Sequence, residues 1–167
     1  NPSYPWVWNV LAQNVVIAND KRFCDNLHNH TDAIPNWIST VKPEIIEEYF
    51  DNLKLSEYIN KLSDSQTCEA RNSYLFAFGN NIWDKLSQTL SPEFIYDNIH
   101  ERWNSDIISR RLIKLIENNP GALDICKNVL RWDILSNEFS ETFIVNHIDN
   151  FKCLWDWNIL TNRLSAA

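Results

Sequence analysis

The stretch Trp155-Asp156-Trp157-Asn158-Ile159-Leu160 decides the fold, because closely similar stretches occur elsewhere in the same chain. Trp6-Val7-Trp8-Asn9-Val10-Leu11 repeats it near the start of the sequence. Between the two, Trp83-Asp84-Lys85-Leu86-Ser87 and Trp132-Asp133-Ile134-Leu135-Ser136 keep the same order of residue types. Self-similarity of this kind is the signature of a repeat architecture, and it outranks local secondary-structure patterns.

The common core of these stretches is an aliphatic residue, then Ser, Thr or Ala, then an apolar residue four positions after the aliphatic one. Good copies are Leu11-Ala12 with Val15, Leu86-Ser87 with Leu90, Ile108-Ser109 with Leu112, Leu135-Ser136 with Phe139, and Leu160-Thr161 with Leu164. Looser copies are Ile38-Ser39 and Leu62-Ser63. The steps from each aliphatic position to the next are nearly even along the whole sequence. The spacing predicts about seven units with a period of about 25 residues.

Each unit is predicted to form two short helices. Apolar positions four apart share one helical face, and a Ser or Thr beside them can bond back to the preceding turn. Start signals for second helices are Ser91-Pro92-Glu93, Ser140-Glu141-Thr142 and Lys42-Pro43-Glu44, which combine caps, a first-turn proline and acids. Asn118-Asn119-Pro120-Gly121 is a strong turn between helices, and the polar residues 64–73 predict a longer loop or irregular unit.

Helices this short are marginal alone in water, so neighbouring units must bury each other's apolar stripes. The expected fold is therefore all-α, a solenoid-like stack of short helical hairpins over residues 1–167 as a single domain. Tryptophans in phase with the repeat are expected to lie in the core between units. Trp37 and Trp103 fall out of phase with the other tryptophans, which makes them the candidates for an exposed contact.

Composition excludes several classes of protein. The 167 residues are 44% hydrophobic and 13% aromatic with eight Trp, which rules out intrinsic disorder. Only two glycines are present, which excludes Gly-rich phosphate loops and dinucleotide fingerprints. A net charge of −7 makes duplex nucleic acid and anionic membranes poor partners. We expect a cytoplasmic protein, since neither a signal peptide nor an apolar run of roughly 20 residues is present.

The four cysteines point to the same compartment. Cys24, Cys68, Cys126 and Cys153 are widely separated in the sequence and form no CxxC pair. Such spacing is typical of reduced, mostly buried thiols and not of a disulfide framework.

The Trp-Asp-Trp-x-x-Leu-Ser/Thr pattern resembles the tandem WDWxxLS repeats of large bacterial and giant-virus proteins. Trp155-Asp156-Trp157 carries the full form, Trp83-Asp84 and Trp132-Asp133 keep two of its residues, and Trp6-Val7-Trp8 lacks the acid. The resemblance covers most of the chain, implies helical solenoid building blocks and implies no chemistry. The final unit has its first helix and lacks its second, which predicts an excerpt of a longer protein.

One group of residues has the composition of a metal site. Cys24, His28, His30 and Asp32 are acceptable ligand types, but their spacing follows no established zinc pattern. A buried cysteine beside solvated loop histidines is the favoured interpretation. Cys24 with His28 as nucleophile and base would need an orienting third group, and none is evident.

Two groups of charged residues are further candidates. Glu44, Glu47 and Glu48 lie near a predicted helix start, where they suit the helix dipole better than acid–base chemistry. Arg102, Arg110, Arg111 and Lys114 surround Trp103, a combination that could bind single-stranded nucleic acid. The alternative is a solvated helix face whose stems cover apolar surface.

The leading hypothesis is a protein-interaction scaffold or spacer without catalysis, with a protein partner and no cofactor. No catalytic, cofactor-binding or metal-binding residue is assigned. The alternatives are a nucleic-acid-binding segment around Arg110 and a metal-dependent enzyme around Cys24, His28 and His30.

Overall fold

A computed structural model of the chain describes the backbone of residues 5–64 and 74–164 and the side chains of residues 7–61 and 82–164. Within these ranges every regular element is helical and no strand occurs, which confirms the all-α class. Cys68 and residues 65–73 of the predicted irregular stretch lie outside the described residues.

The helices are short, apart from α7. They are α1 (Pro5–Ala12), α2 (Val15–Ala18), α3 (Lys21–Asn26), α4 (Ile34–Thr40), α5 (Pro43–Tyr49), α6 (Leu55–Asp64), α7 (Tyr74–Thr89), α8 (Pro92–Asp97), α9 (Ser105–Arg111), α10 (Ile113–Asn118), α11 (Ala122–Cys126), α12 (Trp132–Glu138), α13 (Glu141–His147) and α14 (Trp157–Leu164). Two 3₁₀ turns, Leu27–Asn29 and Thr31–Ala33, precede α4.

Helices begin where the cap signals predict. The Ser91 hydroxyl accepts the N–H of Phe94 at 3.2 Å, and the Ser140 hydroxyl accepts the N–H of Phe143 at 3.3 Å. Helix α5 begins at Pro43. The predicted turn at residues 118–121 separates α10 from α11.

The seven aliphatic positions of the repeat lie in seven different helices, which are α1, α4, α6, α7, α9, α12 and α14. Ile38, Leu86, Ile108, Leu135 and Leu160 are buried. Leu11 is half-buried, and the side chain of Leu62 lies outside the described residues. Five of these helices therefore bury the predicted residue in the interior.

Val15 is an exception to the predicted pattern. The pattern places it on the buried face of Leu11, but its side chain is 57% exposed. The reason is that α1 ends at Ala12, and the Asn14 side chain caps a new helix by accepting the N–H of Val16 at 3.0 Å. Four residues of spacing set a common face only within one continuous helix.

The chain divides into two compact halves, Asn1–Leu90 and Ser91–Ala167. In the N-terminal half, α1 packs against α4, α4 contacts α7, and α6 packs along α7. In the C-terminal half, α9 packs against α12 and α12 packs against α14. No helix among the described residues is both long and apolar enough to cross a membrane.

The prediction that Trp37 and Trp103 form exposed contacts is wrong, since they are 0% and 5% exposed. Trp37 donates its indole N–H to the carbonyl of Ala18 at 2.9 Å inside the N-terminal half. Trp103 precedes Ile108 by five positions, the same distance that separates Trp155 from Leu160.

Candidate functional site

The four residues considered as metal ligands do not form one cluster. The Cys24 thiol is buried and donates to the carbonyl of Ala18 at 3.4 Å. His28 is exposed, and its Nδ1 lies 2.9 Å from the carbonyl oxygen of Asp25. Within the residues that the structure describes, no group of three or more His, Cys, Asp or Glu side chains is placed to hold a metal ion.

The other two residues of that group contact α1. The His30 ring stacks on Trp8 with centroids 3.9 Å apart and planes 14° apart. Phe23 stacks on the same indole at 5.1 Å. Asp32 accepts a hydrogen bond from the Asn9 amide at 3.1 Å. His30 and Asp32 therefore connect the segment of the two 3₁₀ turns to α1.

The environment of Cys24 also opposes a nucleophilic role. Burial raises the pKa of its thiol above the ordinary value. A reactive cysteine needs the opposite shift, because the thiolate is the nucleophile. Cys24 and Cys126 are free and buried as predicted, whereas Cys153 is free but exposed.

The acidic residues singled out in the sequence all lie in α5. Glu44 lies in the first turn of the helix, where a carboxylate suits the positive end of the dipole. Glu44 and Glu48 are exposed and Glu47 is half-buried.

Trp103 is not available as an aromatic platform for the basic residues around α9. Trp103 is buried, and its indole N–H is held by the carbonyl of Asn98 at 2.7 Å, so it cannot stack on a base. Arg110 forms an ion pair with Glu138 of α12. The charge of this face is thus partly neutralised within the protein.

A second ion-pair group links the same two helices. Arg131, at the start of α12, contacts Asp106 of α9 and Asp133 of its own helix, both at 2.8 Å. The hydrogen bond from the Arg131 guanidinium holds the pKa of the Asp133 carboxyl below its usual value. These pairs are exposed to solvent, which screens them, so they add little to stability.

The most regular feature of the C-terminal half is a serine contact between successive helices. Ser109 of α9 is fully buried, and its hydroxyl accepts the N–H of Arg131 at 2.8 Å, where α12 begins. Ser136 of α12 is also fully buried, and its hydroxyl accepts the N–H of Asp156 at 2.9 Å, just before α14. We refer to α9, α12 and α14, which pack in this order, as the row. Each hydroxyl therefore accepts a main-chain N–H at the start of the next helix of the row.

Tryptophans form a second regular contact. The indole N–H of Trp132 donates to the carbonyl of Lys127 at 2.9 Å, and that of Trp157 donates to the carbonyl of Lys152 at 3.0 Å. In both cases the acceptor lies five residues earlier in the chain. The bond fixes each indole against the loop that leads into its helix.

The two indoles differ in what covers them. Trp132 contacts Phe151 with ring centroids 5.7 Å apart and Trp155 with centroids 5.1 Å apart. Trp157 is 44% exposed, and the nearby Leu154 is 38% exposed. We refer to Leu154 and Trp157 together as the Trp157 face.

Several smaller apolar side chains are also exposed on the helices. In the N-terminal half they are Val10, Val15 and Val16, and in the C-terminal half Ile125 and Val145. Their exposed fractions lie between 57% and 77%.

The C-terminal half also carries a surface cleft of about 270 Å³, lined by residues that include Glu117, Phe143, Asn146 and His147. The Glu117 carboxylate accepts the N–H of Ser140 at 2.7 Å and so helps to cap α13. The His147 ring lies against Phe143 with centroids 4.5 Å apart. Two polar groups of the cleft, those of Glu117 and Ser140, thus cap α13, which forms part of its wall.

Sequence reasoning missed both the serine contact and the Trp157 face. Both depend on the neighbouring helix in the row, which a single repeat does not reveal. Comparison of the chain with protein-family models, with curated proteins and with solved structures finds no match.

Proposed function

We propose that this chain is a protein-interaction scaffold, built as a solenoid-like stack of helical units with a period of about 25 residues. The observation that carries the proposal is the serine contact, which joins α9 to α12 and then α12 to α14. In both cases a main-chain N–H donates to a serine Oγ of the preceding helix. Repetition of one contact is how stacked repeats extend a structure, and such stacks bind partners over an extended surface.

Exposed apolar side chains support a protein as the partner. Burial of apolar surface drives most protein association, at about 25 cal/mol per Å² removed from water. Val10, Val16, Ile125 and Val145 are the large apolar side chains with the greatest exposure among the described residues. All four lie on helices, in both halves of the chain.

The test is an affinity capture with the full chain as bait, from lysate of the source cells. A second bait carries Val10→Ser, Val16→Ser, Ile125→Ser and Val145→Ser, which leaves the core and the Trp157 face intact. We expect a protein that survives both nuclease and chelator treatment and is lost from the substituted bait. Equal thermal unfolding midpoints of the two baits exclude misfolding as the cause of the loss.

Other outcomes contradict the scaffold function. Capture abolished by nuclease would favour the nucleic-acid alternative, and it should then weaken steeply with salt through counterion release. Capture abolished by chelator would favour a metal-dependent function. Equal retention on both baits, or no retained protein, would also count against the proposal.

A further inference from the structure

We infer that the Trp157 face binds a further helical unit of the same repeat, which presents a Phe and a Trp four residues apart. The inference deepens the proposed scaffold function and rests on it. It names the chemistry of the partner at one surface of the stack.

The first step is that Trp157 and Trp132 occupy the same structural position. They lie one period of the repeat apart, and each begins a helix of the row, α14 and α12 respectively. Each indole N–H donates to the carbonyl five residues earlier, at 3.0 and 2.9 Å. The two side chains are therefore anchored by the same local bond and present an indole to whatever follows in the row.

The second step is that the structure shows how this position is covered. Trp132 meets Trp155 edge to face, with planes at 88°, and meets Phe151 at 36°. Phe151 and Trp155 lie four residues apart in the segment that leads into α14, the next helix of the row. In this part of the protein, an aromatic pair at this spacing thus packs on the indole that precedes it.

The third step is the exposed area at Trp157. A tryptophan buries on the order of 200 Å² in a core, and Trp is enriched among residues that dominate binding energy. Trp157 and Leu154 leave 44% and 38% of their surfaces in solvent. The indole at position 132 is half-buried against its aromatic pair, whereas the indole at position 157 is exposed, so the face continues an interface already present within the protein.

A second copy of this chain does not supply the required cover. Its own Phe151 and Trp155 are only 9% and 4% exposed, because they already pack against its own Trp132. The occupant is therefore a separate repeat unit whose aromatic pair has no indole of its own to cover.

The experiment replaces residues 165–167 with a second copy of residues 140–164, attached directly after Leu164. The appended copies of Phe151 and Trp155 then follow the original residues by the same distance in sequence that separates Trp132 from Trp157. Both chains are labelled with 5-fluorotryptophan, and Trp157→Phe assigns the ¹⁹F resonance of Trp157. The measured quantity is the change in its chemical shift between H₂O and D₂O, which reports solvent contact.

In the unextended chain we expect a clear solvent isotope shift at Trp157. In the extended chain we expect it to fall to the value of Trp132, the half-buried indole in the equivalent position, with a higher unfolding midpoint. The matched control is an extension in which the appended copies of Phe151 and Trp155 are both replaced by Ala, which should leave Trp157 exposed.

A Trp157 resonance that keeps its isotope shift in the extended chain would overturn the inference. Equal protection in the alanine control would overturn the role of the aromatic pair. Protection that grows with concentration in the unextended chain would identify a second copy as the occupant and would overturn it too. Neither capture bait alters the Trp157 face, so failure of the scaffold function is distinguishable from failure of this inference.

Discussion

At the scale of single residues, the hydroxyl of a buried serine forms two hydrogen bonds at once, as donor and as acceptor. Ser109 donates to the carbonyl of Ser105 in its own helix at 2.6 Å and accepts the N–H of Arg131 from the next helix. An alanine would be small enough for the helices to approach, but it could not accept that N–H. A larger polar residue would not fit a position that is 0% exposed.

Ser136→Ala should therefore destabilise the protein by about 1–2 kcal/mol, because the Asp156 N–H loses its acceptor in a partly buried place. The measurement is urea unfolding, where the midpoint should fall at an unchanged slope. The matched control is Ser39→Ala, since Ser39 follows Ile38 in the same pattern but is exposed and bonds only to Pro35 of its own helix. Its effect should stay within about 0.5 kcal/mol. Equal effects of the two substitutions would refute the inter-helix role.

We predict that the stability of the protein falls at high pH, because burial disfavours the ionised forms of one thiol and one tyrosine hydroxyl. Burial raises the pKa of the Cys126 thiol from 9.0 to about 11, and that of the Tyr58 hydroxyl from 10.0 to about 12. The unfolded chain releases these protons at the lower pKa values, so it binds fewer protons than the folded chain in this range. Stability is then fully present below about pH 9 and declines as pH rises toward the folded pKa values.

Urea unfolding from about pH 7 to about pH 10.5 checks this prediction. Cys126→Ala should flatten the alkaline decline, although the lost side-chain volume lowers stability at every pH. Cys153→Ala is the matched control, because it removes a cysteine that is exposed and not part of the core. A profile that stays level above about pH 9, or one that Cys126→Ala does not alter, would contradict the role of burial.

At the scale of helices, the sequence predicts starts better than ends. The chemistry of a start is local, since Ser91 and Ser140 bond to an N–H three residues later. Ends depend on tertiary packing, and the structure has one helix, α7, of 16 residues where the pattern predicts short helices. The same limit explains Val15, whose face depends on α1 continuing past Ala12.

Ser140→Ala should cost about 1 kcal/mol of stability, because it removes the side-chain cap of α13. Ser140→Asn should stay close to the natural protein, since an amide oxygen caps equally well and adds no charge beside the Glu117 carboxylate, which accepts the N–H of residue 140. Thermal unfolding of both variants is the measurement. A loss for Asn as large as that for Ala would mean that the serine acts through packing and not as a cap.

At the scale of the whole molecule, the repeat in the sequence predicts the all-helical class and a separate helix for each aliphatic position. It does not predict which tryptophans are covered. Trp103 is out of phase when aligned on Trp132, yet it keeps the spacing of Trp155 from the next aliphatic residue. The Trp157 face could not be predicted for a related reason. The exposure of Trp157 depends on the helices that pack beside it and not on the residues of its own unit.

The repeat itself is tested most directly by two deletions in the C-terminal half. Removing residues 109–135 joins Ile108 to Ser136 and takes out one whole step of the pattern. Removing residues 109–122 takes out only about half a step, but it joins Ile108 to Leu123 and breaks the phase. The measurement is urea unfolding of both variants, followed by far-ultraviolet circular dichroism.

In a stack of equivalent units, each unit contacts only its neighbours, so a whole unit can be lost without disrupting the rest. We therefore predict that the larger deletion leaves a helical protein with a cooperative unfolding transition, and that the smaller deletion abolishes the transition of the C-terminal half. If the chain were an ordinary globular fold, the larger loss would do the greater damage. A larger deletion that unfolds the C-terminal half at least as completely as the smaller one would contradict the repeat.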